Sequence, residues 1–303
     1  MFLIQGFQNN LSPNPLRLNN QARRIKRPGL RGMSPMDSIG LVVLAFLVGI
    51  ASSLMGVGGG FVIVPALAMI YGIDPRSAVG TSSLMIVFTA ISSTVAYAMQ
   101  RRIDYRIGPL MALGTVPGGI LGAYATSLVK SKELAALFGI FEIAIALRMA
   151  IDSNEGAREG GRGGRWVWER VLVDSKGEEF RYRINLPPAL AMSFFGGLAS
   201  GFFGIGGGAV LVPVMVLVAG IPMHLAVATS MFIMIFTSIS AAATHVLLGN
   251  VLLEYSILLA IGIIGGTQIG AKVARRLRAK WLRRVFGLFL IFIGARMVIS
   301  YLL

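Results

Sequence analysis

Two glycine clusters are the residues of this chain whose type and spacing could do chemistry, because the usual catalytic side chains are scarce. The sequence holds no cysteine and only two histidines, which excludes disulfides, thiolate nucleophiles and zinc–thiolate sites. Few acids are clustered, so an ordinary hydrolase or metalloenzyme is not expected, and no metal or cofactor is predicted. The clusters consist of Gly58, Gly59 and Gly60, and of Gly206, Gly207 and Gly208.

The two clusters occupy matching positions in an internal repeat. Residues 54–65 (LMGVGGGFVIVP) align with residues 202–213 (FFGIGGGAVLVP) at an offset of 148 positions. The register continues without a gap, and 13 of the 29 positions from 54 to 82 are identical to their mates. Self-similarity at a fixed offset predicts two homologous halves. Neither cluster has the GxGxxG or Walker A pattern of a nucleotide site.

A glycine cluster inside an apolar segment predicts a broken membrane helix with unpaired backbone donors. Such a break leaves free N–H groups at the start of the second piece, and protein, water or a ligand must satisfy them. The helix dipole favours an anion there, and glycine lets the backbone approach it closely. Residues 58–60 and 206–208 are therefore predicted to bind an anion, with close helix packing as the alternative. Single glycines elsewhere, such as Gly262 and Gly270, are interpreted as packing contacts. The residues expected to support the two breaks are Gly56, Pro65, Gly204 and Pro213.

The composition indicates that the elements carrying these motifs lie in a lipid bilayer. The 303 residues are 55% hydrophobic and 14% charged, whereas a soluble domain averages about 25% charged residues. Two 11-residue apolar runs, 61–71 and 209–219, cover about half of a bilayer core. Eight longer helices are predicted over 38–54, 78–99, 107–128, 133–150, 188–203, 225–247, 256–273 and 283–302.

The net charge of +15 reflects basic clusters beside apolar runs rather than a surface for nucleic acid. They lie in the N-terminal arm, in residues 101–106 and in residues 272–284, which is the positive-inside pattern. If each half crosses the membrane an odd number of times, the halves are inverted. The last two clusters and the insertion 152–187 then share one side. We favour inverted repeats because charges in short loops weigh most.

The predicted fold is an all-α integral membrane protein of two homologous four-span halves, each opening with a glycine-broken helix pair. Residues 1–36 form a basic arm that is expected to be disordered or to lie on the membrane surface. Residues 37–151 form the first repeat and residues 188–303 the second. Residues 152–187 form a polar insertion whose alternating pattern around Asp174-Ser175-Lys176-Gly177 predicts a β-hairpin, which we interpret as a connector.

The paired glycine motifs, with an Ala-Val-x-Thr-Ser segment after each, resemble the TauE/SafE family of sulfite-exporter-like permeases. The resemblance covers residues 38–302 apart from the insertion. It implies transport of sulfite, related sulfur oxyanions or organosulfonates such as sulfoacetate across the cytoplasmic membrane. Together with the repeat, it predicts a multi-pass secondary transporter with alternating access. An anion channel, and a non-transporting scaffold that uses the insertion to hold a partner, remain alternatives.

Several side chains are candidates beside the glycines, each with a structural alternative. The hydroxyls of Thr81, Ser82, Thr229 and Ser230 could donate to sulfonate oxygens, or bond back to helix carbonyls. Gln268 could contact the substrate or another helix. Glu142 and His245 are candidates for proton coupling; an ion pair with Arg148 and a structural role near a helix end are their alternatives. The expected partners are a small anion, the bilayer, protons and a second copy in a homodimer, with no nucleic acid.

Overall fold

The computed structural model describes residues 34–151, 167–274 and 279–302. All but three residues of the predicted N-terminal arm lie outside the described residues, as does the glycine- and arginine-rich stretch of the insertion. The described part of the chain is mostly helical. Its first half contains helices α1 (Pro35–Met55), α2 (Gly60–Pro65), α3 (Pro75–Met99), α4 (Ile107–Ala125) and α5 (Ser131–Ile151).

The second half repeats this order of elements. Its helices are α6 (Leu186–Phe203), α7 (Gly208–Pro213), α8 (Met223–Leu247), α9 (Leu253–Val273) and α10 (Ala279–Leu302). Both bounds of α7 and of α8 lie 148 positions after those of α2 and α3, which is the offset of the sequence repeat. The π-helical turns Ala66–Ile70 and Val214–Val218 follow the prolines that end α2 and α7, so the halves also share this irregularity.

Local sequence explains where the first helices begin. Ser34 caps α1 in a reciprocal capping box with Asp37, and Pro35 occupies the first turn, where its missing N–H costs nothing. The side chain of Asp74 accepts the N–H of Arg76 at the start of α3, again followed by a proline. Both helices therefore start at residues whose side chains satisfy otherwise free backbone donors.

Six helices of the described residues are long and apolar enough to cross a membrane. They are Pro35–Met55, Pro75–Met99, Ile107–Leu128, Leu186–Phe203, Met223–Leu247 and Leu253–Val273. They match six of the eight predicted spans. Helices α5 and α10 coincide with the other two predicted spans but are not among these six. The chain is a multi-pass membrane protein, and its eight-span organisation stays a proposal.

The two halves are interlocked by glycine seams. Helix α1 packs on α9 of the other half, and α6 packs on α4. Close approach is possible because glycines at four-residue intervals face the partner backbone. A Cβ on Gly262 or Gly270 would meet main-chain atoms of α1, which confirms the predicted packing role of these two residues. The seam glycines are Gly114, Gly118 and Gly122 in α4, and Gly262, Gly266 and Gly270 in α9.

Two pairs of helices, α3 with α8 and α5 with α10, run in opposite directions. Thr81, early in α3, bonds to Leu252 just beyond α8, while Thr229, early in α8, bonds to Asp104 just beyond α3. Helices α5 and α10 also run antiparallel. Gly139 contacts Gly294 and the later residue Val298, whereas Ile143, one turn after Gly139, contacts Gly294, the earlier of the two. The loop after α3 and the start of α8 therefore lie at the same end of the bundle.

The insertion contains the predicted hairpin. Strands β1 (Val167–Val173) and β2 (Glu179–Asn185) pair antiparallel, with Val167 opposite Asn185 and Val173 opposite Glu179. Residues 174–178 form the turn, in which Gly177 has a φ of 84°. Ser175 donates its backbone N–H to the Gln100 carbonyl at 3.0 Å. The hairpin therefore lies against the α3–α4 loop (residues 100–106), at the end of the bundle where α3 finishes.

Candidate functional site

The helical backbone is interrupted twice, between α1 and α2 and between α6 and α7. Gly56 caps the C-terminus of α1 and Gly204 caps that of α6, both in the left-handed conformation that terminates helices. Gly58 and Gly206 follow with φ values of 97° and 81°. Side chains rarely adopt this region, so the geometry of the breaks requires glycine at these positions.

The two interruptions are in direct contact with each other. A Cβ on Gly58 would lie 2.7 Å from the carbonyl oxygen of Ile205. A Cβ on Gly60 would collide with the Gly204 carbonyl, and a Cβ on Gly208 would collide with the Gly56 carbonyl. The first helical residue after each break thus packs on the last carbonyl before the other. The sequence-predicted glycines come together in one buried cluster.

The contacting breaks carry unpaired backbone donors. Residues 58–61 and 206–209 are all buried. Within the described part of the chain, none of their N–H groups donates to an acceptor, and neither Gly59 nor Gly207 supplies a side-chain cap. Buried backbone N–H groups are almost always hydrogen-bonded in folded proteins. Two sets of four donors at adjoining helix starts can therefore bind an acceptor with several oxygens.

The two threonines make equivalent hydrogen bonds to the opposite half of the chain. The Thr81 hydroxyl oxygen accepts the Leu252 N–H at 3.1 Å, and the Thr229 hydroxyl oxygen accepts the Asp104 N–H at 3.0 Å. Both threonines are fully buried. Among the described residues no group accepts the hydrogen of either hydroxyl. Each threonine hydroxyl therefore retains one hydrogen that is not used within the described fold.

The neighbouring serines use their hydrogens within the fold. Ser82 donates to the Gly204 carbonyl at 2.8 Å. Ser230 donates to the Val227 carbonyl at 2.8 Å and lies 3.4 Å from the Gly56 carbonyl. A hydroxyl has a single hydrogen, so these serines position the carbonyl ends of α1 and α6 beside the breaks. The hydroxyl hydrogens of Thr81 and Thr229, by contrast, have no such acceptor among the described residues.

Two apolar side chains beside the breaks carry no motif in the sequence. A Cβ on Gly206 would lie 2.8 Å from Ile86 Cγ2 and 3.3 Å from the sulfur of Met234. Ile86 and Met234 are repeat mates, and each follows a serine of the Thr-Ser pairs by one helical turn. That four-residue spacing is the signal that could have identified them.

The remaining candidates lie in other contacts. The Gln268 amide donates to the Ser92 carbonyl at 2.7 Å and contacts the Ser92 hydroxyl at 2.9 Å, which places Gln268 in the α3–α9 interface. Pro65 and Pro213 end α2 and α7, where the π-helical turns begin. They shape the helices that follow the breaks.

The two candidates for proton coupling have different surroundings. Glu142 is fully buried in α5, and neither carboxylate oxygen has a hydrogen-bond partner among the described residues. His245 places Nε2 2.9 Å from the Gly201 carbonyl. Its repeat mate Tyr97 donates to the Ser53 carbonyl at 2.6 Å, and Ser53 is the mate of Gly201. His245 and Tyr97 therefore make equivalent contacts, although only histidine titrates near neutral pH.

A charged network that the sequence did not single out lies at one end of the bundle. Asp104 in the α3–α4 loop binds Arg170 through two bonds of 3.0 Å and accepts the hydroxyl of Tyr182. Arg102 binds Asp174 at 3.0 Å. The only sequence signal was a single acid within the basic run RRIDYR.

Hydrogen bonding determines the ionisation of Asp104. Burial by itself raises the pKa of this carboxyl, but bonds from Arg170, Tyr182 and the N–H groups of Arg106 and Ile107 outweigh burial. The net pKa therefore lies below its ordinary value. Burial and the bond to Asp104 raise the pKa of the Tyr182 hydroxyl. Asp104 is therefore a carboxylate, and Tyr182 is its donor, at neutral pH.

Comparison with known proteins gives consistent matches over most of the chain. The family model described as "Sulfite exporter TauE/SafE" matches residues 41–297. The "Probable membrane transporter protein YunE" of Bacillus subtilis is 35% identical over 270 residues, which cover 87% of this chain and 98% of the relative. The "Probable membrane transporter protein MJ0441" of Methanocaldococcus jannaschii is 29% identical, with 83% and 94% covered. No solved structure gives a significant match.

Proposed function

We propose a transport mechanism from one premise: the chain belongs to the TauE/SafE family. Its substrate is a small sulfur-containing anion, either sulfite or an organosulfonate such as sulfoacetate. The anion binds between the two broken helices and crosses by alternating access, as the two halves rock about it.

The contact between the two breaks is the observation that carries this proposal. Donors of residues 58–61 and 206–209 start two helices in one buried cluster. Oxygens of a sulfite or sulfonate group accept several hydrogen bonds at once, and helix starts favour negative charge. The hydroxyls of Thr81 and Thr229 add one donor from each half, whereas Ser82, Ser230 and the flanking glycines and prolines maintain the shape of the site.

The arrangement of the halves supports inverted repeats of four spans each. Mates α3 and α8 run in opposite directions, as do α5 and α10. The hairpin that follows the first half packs on the α3–α4 loop, which agrees with α4 and α5 both crossing the membrane. Inverted halves exchange roles when the site opens from one side to the other, which is the symmetry that alternating access uses.

The driving force that we propose combines the membrane potential with a proton. A negative interior assists an anion that leaves the cell by about 2.3 kcal/mol per charge per 100 mV. Glu142 is the proposed proton site because its carboxylate is buried without a partner among the described residues. An intramembrane acid of this kind is a functional candidate by default. The equivalence of His245 with Tyr97 favours a positioning role for the histidine.

Uptake into proteoliposomes tests the proposal. Sulfite, sulfoacetate, thiosulfate and sulfate are compared at several pH gradients, with empty liposomes as the control. We expect saturable movement of sulfite or of an organosulfonate that competes with unlabelled substrate. Absence of movement for all four anions would overturn the substrate class. Single-channel currents in a planar bilayer would replace the carrier mechanism with an anion channel.

A further inference from the structure

The hairpin of the insertion is fastened to the α3–α4 loop by buried charges. The side chains of Asp104 and Asp174 are 0% and 1% exposed, and their partners Arg170 and Arg102 are 17% and 8% exposed. Removal of either partner from a buried, hydrogen-bonded arginine–carboxylate pair is strongly destabilising. The outer ion pairs of the hairpin are exposed by contrast, as in Arg181 with Glu179.

The same aspartate also contacts a proposed binding residue. The backbone N–H of Asp104 donates to the Thr229 hydroxyl oxygen at 3.0 Å. The Asp104 carboxylate accepts the N–H groups of Arg106 and Ile107 at 2.9 and 3.2 Å, which fixes the start of α4. Arg170 and Tyr182 of the hairpin hold the Asp104 carboxylate in one orientation. A continuous set of hydrogen bonds therefore joins the hairpin to Thr229.

The other half makes the same backbone bond without the carboxylate. The repeat mate of Asp104 is Leu252, and its N–H donates to the Thr81 hydroxyl oxygen at 3.1 Å. Leucine cannot bind an arginine or a tyrosine. The described residues contain one such hairpin, which lies between the halves. Of the two threonines, only Thr229 is therefore linked to the hairpin through a charged side chain. The two otherwise equivalent threonines differ at this point.

We propose that Asp104 is a positioning residue for substrate binding, and that the hairpin acts through it. Arg170 and Tyr182, which we call the Asp104 clamp, hold the α3–α4 loop so that the Asp104 N–H occupies one lone pair of the Thr229 hydroxyl. The hydroxyl hydrogen is then directed to the anion. This inference rests on the proposed function, and it assigns the insertion a role in one of the two halves of the site.

The test uses full-length protein with Tyr182→Phe and Arg170→Gln as the clamp variants and Arg181→Gln as the matched control. Sulfite uptake in proteoliposomes gives KM and kcat, and hydrogen exchange reports the protection of residues 100–106. We expect KM to rise about tenfold in Tyr182→Phe, as loss of a hydrogen bond to a charged group allows. We expect kcat to change by less than about twofold. The backbone amides of residues 100–106 should exchange faster than in the wild type. Arg181→Gln leaves both readouts unchanged.

A double substitution separates positioning from general destabilisation. In a Thr229→Ala background the proposal predicts that Tyr182→Phe has no further effect on KM, because the group that it positions is gone. Equal KM values for the wild type and both clamp variants would overturn the inference, as would additive effects with Thr229→Ala. Wild-type protein that moves no sulfite or organosulfonate would refute the proposed function first, and the inference with it. The exchange measurement would then report only whether the clamp holds the loop.

Discussion

Equivalent positions in the two halves make the same contacts with different residues. Tyr97 and His245 each bond to a carbonyl three residues before a glycine break, at Ser53 and Gly201. Tyr97 donates its hydroxyl hydrogen to a carbonyl oxygen at this position. The equivalent contact of His245 therefore indicates that its Nε2 carries the hydrogen. A residue whose mate cannot titrate near neutral pH is better explained by this contact than by proton transfer.

Replacement of His245 by glutamine tests that interpretation. Glutamine retains an N–H donor but does not titrate. We expect His245→Gln to keep at least about half of the wild-type uptake, since a positioned donor is all that the contact needs. The pH profile should be unchanged. Loss of the pH dependence in this variant would assign His245 to proton coupling.

Substitution of Gly208 tests the contact between the breaks. The new Cβ of Gly208→Ala would collide with the Gly56 carbonyl, whereas the Cβ of Gly265→Ala would meet only ring carbons of Phe46 at 3.5 Å. Overpacking of this kind costs about 1–3 kcal/mol. We expect uptake to be lost in Gly208→Ala and retained in Gly265→Ala, with thermal unfolding in detergent measured for both. Full activity in Gly208→Ala would contradict the described contact.

The isosteric variant Glu142→Gln tests coupling to protons. The amide is neutral at every pH, so a proton gradient no longer drives net transport through this position. Exchange of labelled for unlabelled substrate needs no net proton movement and should continue. We therefore expect counterflow in Glu142→Gln without accumulation under an imposed pH gradient. Gradient-driven accumulation equal to wild type would remove Glu142 from the mechanism.

Residue types and spacing predicted only part of the site. Gly58 and Gly206 could be found because positive φ and close backbone approach leave a glycine signature in the sequence. Asp104 could not, because its role depends on Arg170 and Tyr182, which are distant in sequence. The use of the Ser82 hydrogen by the Gly204 carbonyl likewise depends on a contact between the halves.

At the scale of elements, the hairpin and the α3–α4 loop are expected to stay joined over the working pH range. The pKa values of Asp104 and Asp174 are lowered in the folded protein, where bonds to their charged and backbone partners outweigh burial. Their contribution is complete above the unfolded carboxyl pKa of about 3.9 and is lost only as pH falls through the lower folded values. The raised pKa of Tyr182 keeps its hydroxyl protonated.

Hydrogen exchange of residues 100–106 checks this expectation. After correction for the intrinsic rate, protection should be constant between about pH 5 and pH 9, because no clamp group titrates there. Any pH dependence of transport in that range must then come from another group. A loss of protection near neutral pH in the wild-type protein would contradict the charge states assigned to the clamp.

The bounds of the elements were more accessible to sequence than their partners. A fixed offset places α2 with α7 and α3 with α8, and the structure reproduces both pairs of bounds. The exchange of partners, in which α1 packs on α9 and α6 on α4, is a long-range choice. The interpretation of Gly262 and Gly270 as packing residues did not indicate which helix would contact them.

At the scale of the whole molecule, inverted halves predict which loops share a side of the membrane. The chain has no cysteine, so single-cysteine variants give an unambiguous label. We expect Lys176→Cys in the hairpin and Arg101→Cys in the α3–α4 loop to react from the cytoplasmic side, as the positive-inside pattern indicates. Lys130, whose side chain is 84% exposed beyond α4, should react from the other side. Inverted halves also place Lys280→Cys, after α9, on the same side as Arg101→Cys. Labelling of positions 101 and 280 from opposite sides would refute inversion.

The central claim is that backbone donors of two touching helix breaks bind the transported anion. An experimental structure with the bound anion tests it most directly. The account predicts sulfur-bound oxygens about 2.7–3.2 Å from main-chain nitrogens in both residues 58–61 and residues 206–209, with Thr81 or Thr229 donating to the same group. An anion bound away from both breaks, or at only one of them with the other filled by side chains, would contradict the account.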